Sequence, residues 1–285
     1  MKIQRRDVLL GAVAASLSAV TRAQTAPPAT VRPLPSGLPE PTETIDLWPG
    51  GAPGMPATPP TEEVVERSKD PELSDRFMRG IVQPRMVVFR PQVPNGAAVL
   101  LTPGGGYKWV VVDKEGYEMA RWLSGRGFTV FILFYRLPGD GWAAGPDVSL
   151  SDAQRATRII RSRARSYGVN PERVAVIGFS AGGHLCADLA TRFDTRTYDP
   201  VDDADKLSAR PRLAAPVYPV ISMTLPVAHA GSRALLIGEN ASPELERAHS
   251  PANNVPDNAP PVFLVHAEDD KACLLYTSPS PRDED

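Results

Sequence analysis

A serine set between two glycines, where the chain turns from an extended run into a helix, constrains this sequence more than any other feature. Val174-Ala175-Val176-Ile177 is short and apolar, Gly178-Phe179-Ser180-Ala181-Gly182 follows at once, and residues 181–191 have helical character. A G-x-S-x-G pattern alone is a moderate signal, because a glycine-rich tight turn with a solvated serine would also produce it. Between a strand and a helix it means more. Such a turn is sharp enough to strain the backbone of Ser180, and its hydroxyl is lifted clear of the sheet. The flanking glycines let strand and helix approach closely, and the free N–H groups of the helix then face any negative charge developing beside the serine.

The same alternation runs through much of the chain. Apolar runs at 86–89, 97–102 and 128–134 read as strands, with helical character at 115–123 and 151–166. The run at 128–134 is apolar throughout, which predicts a strand buried on both faces. In the helix at 151–166, Ser151 is placed as the cap, and Ala153, Ala156, Ile159 and Ile160 form one apolar stripe against an arginine-rich outer face. Further strands are expected at 213–218 and 262–265, with a partly helical segment at 231–250 between them. This order predicts an α/β fold with a mostly parallel central sheet and helices on both faces. Residues 24–60 hold 11 of the 31 prolines and read as an extended arm or linker, with Trp48 as an anchor near the start of a body spanning 61–272.

Composition enters as exclusions. The formal charge, 31 − 33 = −2, excludes a strongly basic nucleic-acid binder, and 2 cysteines exclude a disulfide-rich scaffold or a Cys-based zinc site. At the start, Lys2, Arg5 and Arg6 precede an uncharged apolar run at 8–20 and a small-residue cleavage region, which reads as an export signal over 1–23. The pair Arg5-Arg6 resembles a twin-arginine signal, and a Sec signal is the alternative. Either route predicts export to the periplasm or beyond, with no stable membrane association after the signal is removed. The stretch from Cys273 to Asp283 resembles one reading frame of a transposase adaptor used in sequencing libraries. Residues 273–285 are therefore expected to be an artefactual tail, with the natural chain continuing past about Ala272.

Two further segments carry chemistry. Pro103-Gly104-Gly105-Gly106-Tyr107 follows the run at 97–102 and leaves backbone N–H groups unobstructed. An N–H of Gly105 or Gly106 with that of Ala181 would bind an oxyanion beside Ser180. A phosphate loop fits less well, because no Gly-Lys-Ser/Thr follows, and a plain turn is the bland alternative. Val265-His266-Ala267-Glu268-Asp269-Asp270 closes an apolar run downstream of Ser180, where an acid could orient a histidine. Tyr107, Trp109 and Trp142 are candidate substrate contacts, and Lys108 and the segment 139–146 would shape the pocket mouth.

Taken together, LWPGGAPG (47–54), PGGGY (103–107), DKEG (113–116), YRLP (135–138), SDAQRA (151–156), GFSAGGHL (178–185) and HAEDD (266–270) resemble α/β-hydrolase serine esterases, close to the acetylxylan and feruloyl esterase-like carbohydrate esterases. The resemblance covers about residues 45–271. It implies an exported esterase that removes acetyl or feruloyl groups from a plant polysaccharide such as xylan through an acyl-enzyme, with no metal and no organic cofactor. It assigns Ser180 as nucleophile and Asp270 as the triad acid, with Asp269 as runner-up. It also expects a histidine after the acid. The chain has His184, His229, His249 and His266, and none follows Asp270. The base, the last strand and the last helix are accordingly expected beyond the adaptor-like junction, leaving the chain as written inactive. A peptidase or general carboxylesterase of the same fold is the nearest alternative. From another class comes a non-catalytic carbohydrate-binding protein with Trp48, Trp109 and Trp142 as sugar platforms.

Overall fold

A computed structural model of the chain describes residues 39–270. The expected export signal, the arm as far as residue 38 and the tail at 273–285 lie outside the described residues. The strands, in chain order, are β1 (Pro41–Asp46), β2 (Glu63–Glu66), β3 (Arg76–Arg79), β4 (Arg85–Phe89), β5 (Ala98–Thr102), β6 (Val110–Val111), β7 (Thr129–Phe134), β8 (Val174–Phe179) and β9 (Leu213–Val217). The helices are α1 (Glu118–Ser124), α2 (Val148–Ser162), α3 (Ser180–Arg192), α4 (Ala230–Ile237) and α5 (Pro243–Ala248).

The main sheet has the order β1-β4-β7-β5-β8-β9, and β2-β3-β6 form a small second sheet. The pairs β7–β5, β5–β8 and β8–β9 are parallel, while β4 pairs antiparallel with both β7 and β1. Every residue of β5 and β7 is buried, as the unbroken apolar run at 128–134 requires. Burying each of Leu100, Ile132 and Leu133 completely contributes about 1.5–3 kcal/mol. The register sets Thr102 beside Gly178, so the glycine loop after β5 emerges next to the serine after β8.

Four expectations change. Part of the proline-rich arm belongs to the body: residues 41–46 form β1, with Ile45 paired to Met86. Proline is tolerated there because β1 is an edge strand, and Pro41 is its first residue. Trp48 is buried and donates its indole N–H to Asp152 at 2.7 Å. Helix α2 starts three residues earlier than expected, so Ser151 is interior and bonds back to the Asp147 carbonyl at 2.9 Å instead of capping. The arginine-rich face of α2 is not all outer. Arg155 is buried and donates to the Leu47 carbonyl, Asp202 and Asp205. Finally, the run at 262–265 joins β9 only through two isolated parallel bridges, Ala214 with Val262 and Val217 with Val265.

Three of the quoted motifs meet in one buried ion pair. Arg136 of YRLP donates Nη2 to Asp152 Oδ1 at 2.7 Å, Nε to Oδ2 at 3.0 Å and its backbone N–H to Oδ2 at 2.9 Å. Its Nη1 reaches the Pro53 carbonyl of the 47–54 segment at 2.7 Å. These residues tie the 47–54 segment to α2 and to the segment after β7. Among the described residues no helix is long and apolar enough to cross a membrane.

Candidate active site

Ser180 is the first residue of α3 and has φ 52°. Left-handed backbone is costly for a residue with a side chain, on the order of 1–3 kcal/mol, and persists where surrounding packing imposes it. That packing comes from the glycines. A Cβ on Gly178 would lie 2.1 Å from the Gly182 carbonyl oxygen, and one on Gly182 would lie 2.0 Å from that of Thr102. Strand β8, helix α3 and the end of β5 thus approach to a distance that only glycine permits, and the Thr102 hydroxyl closes the junction by donating to the Gly182 carbonyl at 2.8 Å.

Ser180 opens into a cavity of about 470 Å³ whose lining includes Gly105, Gly106, Trp109, Glu115 and His229. Gly105 (φ 134°) and Gly106 (φ 66°) bend the loop over this cavity. The loop is tied back through two of its carbonyls, because Lys108 N–H and Trp109 N–H both donate to the Gly105 carbonyl and Val111 N–H donates to that of Gly104. Ala181 is fully buried in the first turn of α3. The structure therefore brings together Ser180, Gly105, Gly106 and Trp109 of the expected site, with Ala181 adjoining.

Two expected substrate contacts are elsewhere. Tyr107 is only 1% exposed, and its hydroxyl bonds His184 Nδ1 at 2.6 Å. Burial pushes its pKa well up. It points into the core because Gly106 and Tyr107 (φ 60°) reverse the chain. Trp142 is 3% exposed and packs against the Arg136 guanidinium, 4.8 Å from the ring centre. With Trp48 also buried, Trp109 is left as the one member of the proposed tryptophan platform that borders the cavity.

The histidines can be sorted by their partners. His184 Nε2 is 2.8 Å from the His249 carbonyl, which can only accept, so that nitrogen carries the proton and Nδ1 accepts from Tyr107. Burial holds His184 and His249 below the ordinary histidine pKa. His249 Nδ1 faces Arg192 Nη1 at 3.4 Å. His229 does border the cavity, but it caps α4: Nδ1 accepts the Ser232 N–H at 3.1 Å, which leaves the proton on Nε2. In that tautomer Nε2 is a donor. His266 Nε2 lies 3.6 Å from Asp270 Oδ2. The parallel bridge from Val217 to Val265 puts Asp270 at the same end of the sheet as Ser180.

Glu115 is an acid of the cavity that the sequence did not single out. It lines the cavity, and its carboxylate accepts from Gly104 N–H at 2.6 Å and from the Tyr218 hydroxyl at 3.0 Å. Burial raises its pKa, against the opposing effect of those two donors. Among the described residues no group of three or more His, Cys, Asp or Glu side chains is arranged to hold a metal ion.

Residues 88–280 match the BD-FAE family. Over 198 residues the chain is 33% identical to an acetylxylan esterase of Xylanibacter ruminicola, an alignment covering 68% of this chain and 38% of that protein. It is 35% identical over 180 residues to endo-1,4-beta-xylanase B of Butyrivibrio fibrisolvens, covering 63% of this chain and 28% of that one. The chain thus spans well under half the length of these relatives. Among solved structures, an acetyl ester-xyloside bifunctional hydrolase from Caldicellulosiruptor lactoaceticus superposes with TM-score 0.65 at 31% identity, covering 85% of this chain and 80% of that one.

Proposed function

The chain belongs to the BD-FAE family, and on that premise we propose that it is an exported serine esterase that removes acyl groups, acetyl or feruloyl, from a plant polysaccharide such as xylan. The observation that carries the reading is Ser180 at φ 52° between β8 and α3, facing a cavity roofed by the glycine loop. The relatives named acetylxylan esterase and endo-1,4-beta-xylanase B, with the acetyl ester-xyloside bifunctional hydrolase, support the substrate class. Export through the leader carrying Arg5 and Arg6 is part of the same reading.

In the proposed reaction Ser180 Oγ attacks the acyl carbonyl carbon while its proton passes to a base imidazole oriented by Asp270. The carbonyl oxygen takes up the charge between the N–H of Ala181 and that of Gly105 or Gly106. Collapse breaks the bond to the sugar oxygen, which receives the proton from the imidazolium. Water then repeats the sequence on the acyl-enzyme and returns free serine. Trp109 offers the cavity an aromatic wall for a sugar face or a feruloyl ring, and His229 Nε2–H offers a donor.

The experiment is product release by the full-length protein from acetylated xylo-oligosaccharides and from methyl ferulate, each beside a Ser180→Ala control. Release of acetate or ferulate that vanishes in the control supports the reading. Release at equal rates by both proteins defeats it.

A further inference from the structure

We propose that Glu115 is a positioning residue that holds the oxyanion loop in register with the nucleophile. The inference rests on the esterase reading of the same cavity. Its ground is the topology: the sheet order β5–β8–β9 places Gly104, Ser180 and Tyr218 just past three adjacent strand ends. Glu115 spans the outer two across the nucleophile, with Oε2 on Gly104 N–H at 2.6 Å and Oε1 on the Tyr218 hydroxyl at 3.0 Å.

Gly104 is wedged into this arrangement. A Cβ there would lie 2.6 Å from the Phe179 carbonyl oxygen, 2.9 Å from Glu115 Oε2 and 3.1 Å from Ser180 Cβ. Gly104 therefore leaves no room for a side chain between Glu115 and the turn that carries the serine. The two following glycines have no side chains to lock them, so their orientation depends on anchors outside the loop. Val111, Lys108 and Trp109 anchor the carbonyls of Gly104 and Gly105. On the N–H side the anchor is Glu115, and Tyr218 fixes Glu115 in turn. Removing the carboxylate leaves the donors intact but lets them leave the position where charge develops.

The test uses Glu115→Ala and Glu115→Gln in the full-length protein, with nitrophenyl acetate turnover and hydrogen exchange of the amides at 104–107. A displacement near 1 Å costs about a hundredfold, so Glu115→Ala is expected to lower kcat about 10–100-fold with KM changed less than about threefold. Exchange at 104–107 should speed up at least about tenfold. Glu115→Gln keeps an acceptor for Gly104 and should recover both to within about fivefold of wild type. Should Glu115→Ala not fold, Tyr218→Phe, which loosens Glu115 alone, is expected to move kcat and exchange in the same direction. Unchanged exchange at 104–107, kcat of Glu115→Ala within about threefold of wild type, or a Gln variant as impaired as Ala overturns the proposal. A wild-type protein without Ser180-dependent turnover would defeat the esterase reading instead, and exchange would still decide whether Glu115 holds the loop.

Discussion

Replacing Asp152 by alanine should cost this fold several kcal/mol, and the structure shows why. Both Asp152 and Arg136 are fully buried. The carboxylate accepts Trp48 Nε1–H and three donors of Arg136, its backbone N–H included. Without it, the Arg136 guanidinium remains charged and out of reach of water, held by the Pro53 carbonyl and the Trp48 and Trp142 rings. Stranding one partner of a buried pair costs about 3–5 kcal/mol. In a domain of this size each kcal/mol lowers Tm by about 2–4 °C, so a loss of roughly 6–20 °C is expected in a thermal melt followed by circular dichroism. Replacing both partners with apolar residues, Asp152→Leu with Arg136→Met, should recover part of that loss, because no uncompensated charge remains, although the Trp48 indole N–H and the backbone N–H of residue 136 still lack an acceptor. A Tm within about 3 °C of wild type for Asp152→Ala, or a double variant as unstable as the sum of its singles, would refute the reasoning.

Other outcomes follow from single contacts. Gly182→Ala puts a methyl group 2.0 Å from the Thr102 carbonyl oxygen, a backbone atom that cannot swing away, and should destabilise by about 3 kcal/mol or more in a denaturant titration. His184 and His249 have folded-state pKa values lowered by burial, so the unfolded chain binds more protons below about pH 6.5. Stability should therefore fall as the pH drops from 7.5 to 5.5, and His249→Gln should flatten the dependence of Tm on pH over that window. Burial pushes the Cys186 thiol up to about 12, so peptide mapping after maleimide treatment should find it unmodified in the native protein and modified in urea.

How far the sequence could be read depended on the distance between partners. The elbow at 178–182 was legible because strand, turn and helix are contiguous, and strands β4, β5, β7 and β8 because each is a short apolar run between breakers. Strand β1 was hidden among prolines, since its pairing of Ile45 with Met86 crosses 41 positions. Tyr107 and Trp142 looked like pocket-mouth aromatics because each follows a strand end; the buried partner of Tyr107, His184, lies 77 residues on, and Trp142 turns back onto Arg136, a residue whose burial depends on Asp152. Arg155 read as solvated for the same reason, its acidic partners lying 47 and 50 residues on. Glu115 stood in view within the DKEG motif, but its tie to Tyr218, 103 residues away, gives it meaning.

The central claim is that Ser180 is an activated nucleophile. It is tested most directly by treating the full-length protein with a fluorophosphonate and locating the adduct by mass spectrometry. A single adduct on the peptide containing Ser180, lost in Ser180→Ala without loss of folding, is the expected result. An unmodified Ser180, or labelling of another residue that persists in Ser180→Ala, would contradict it.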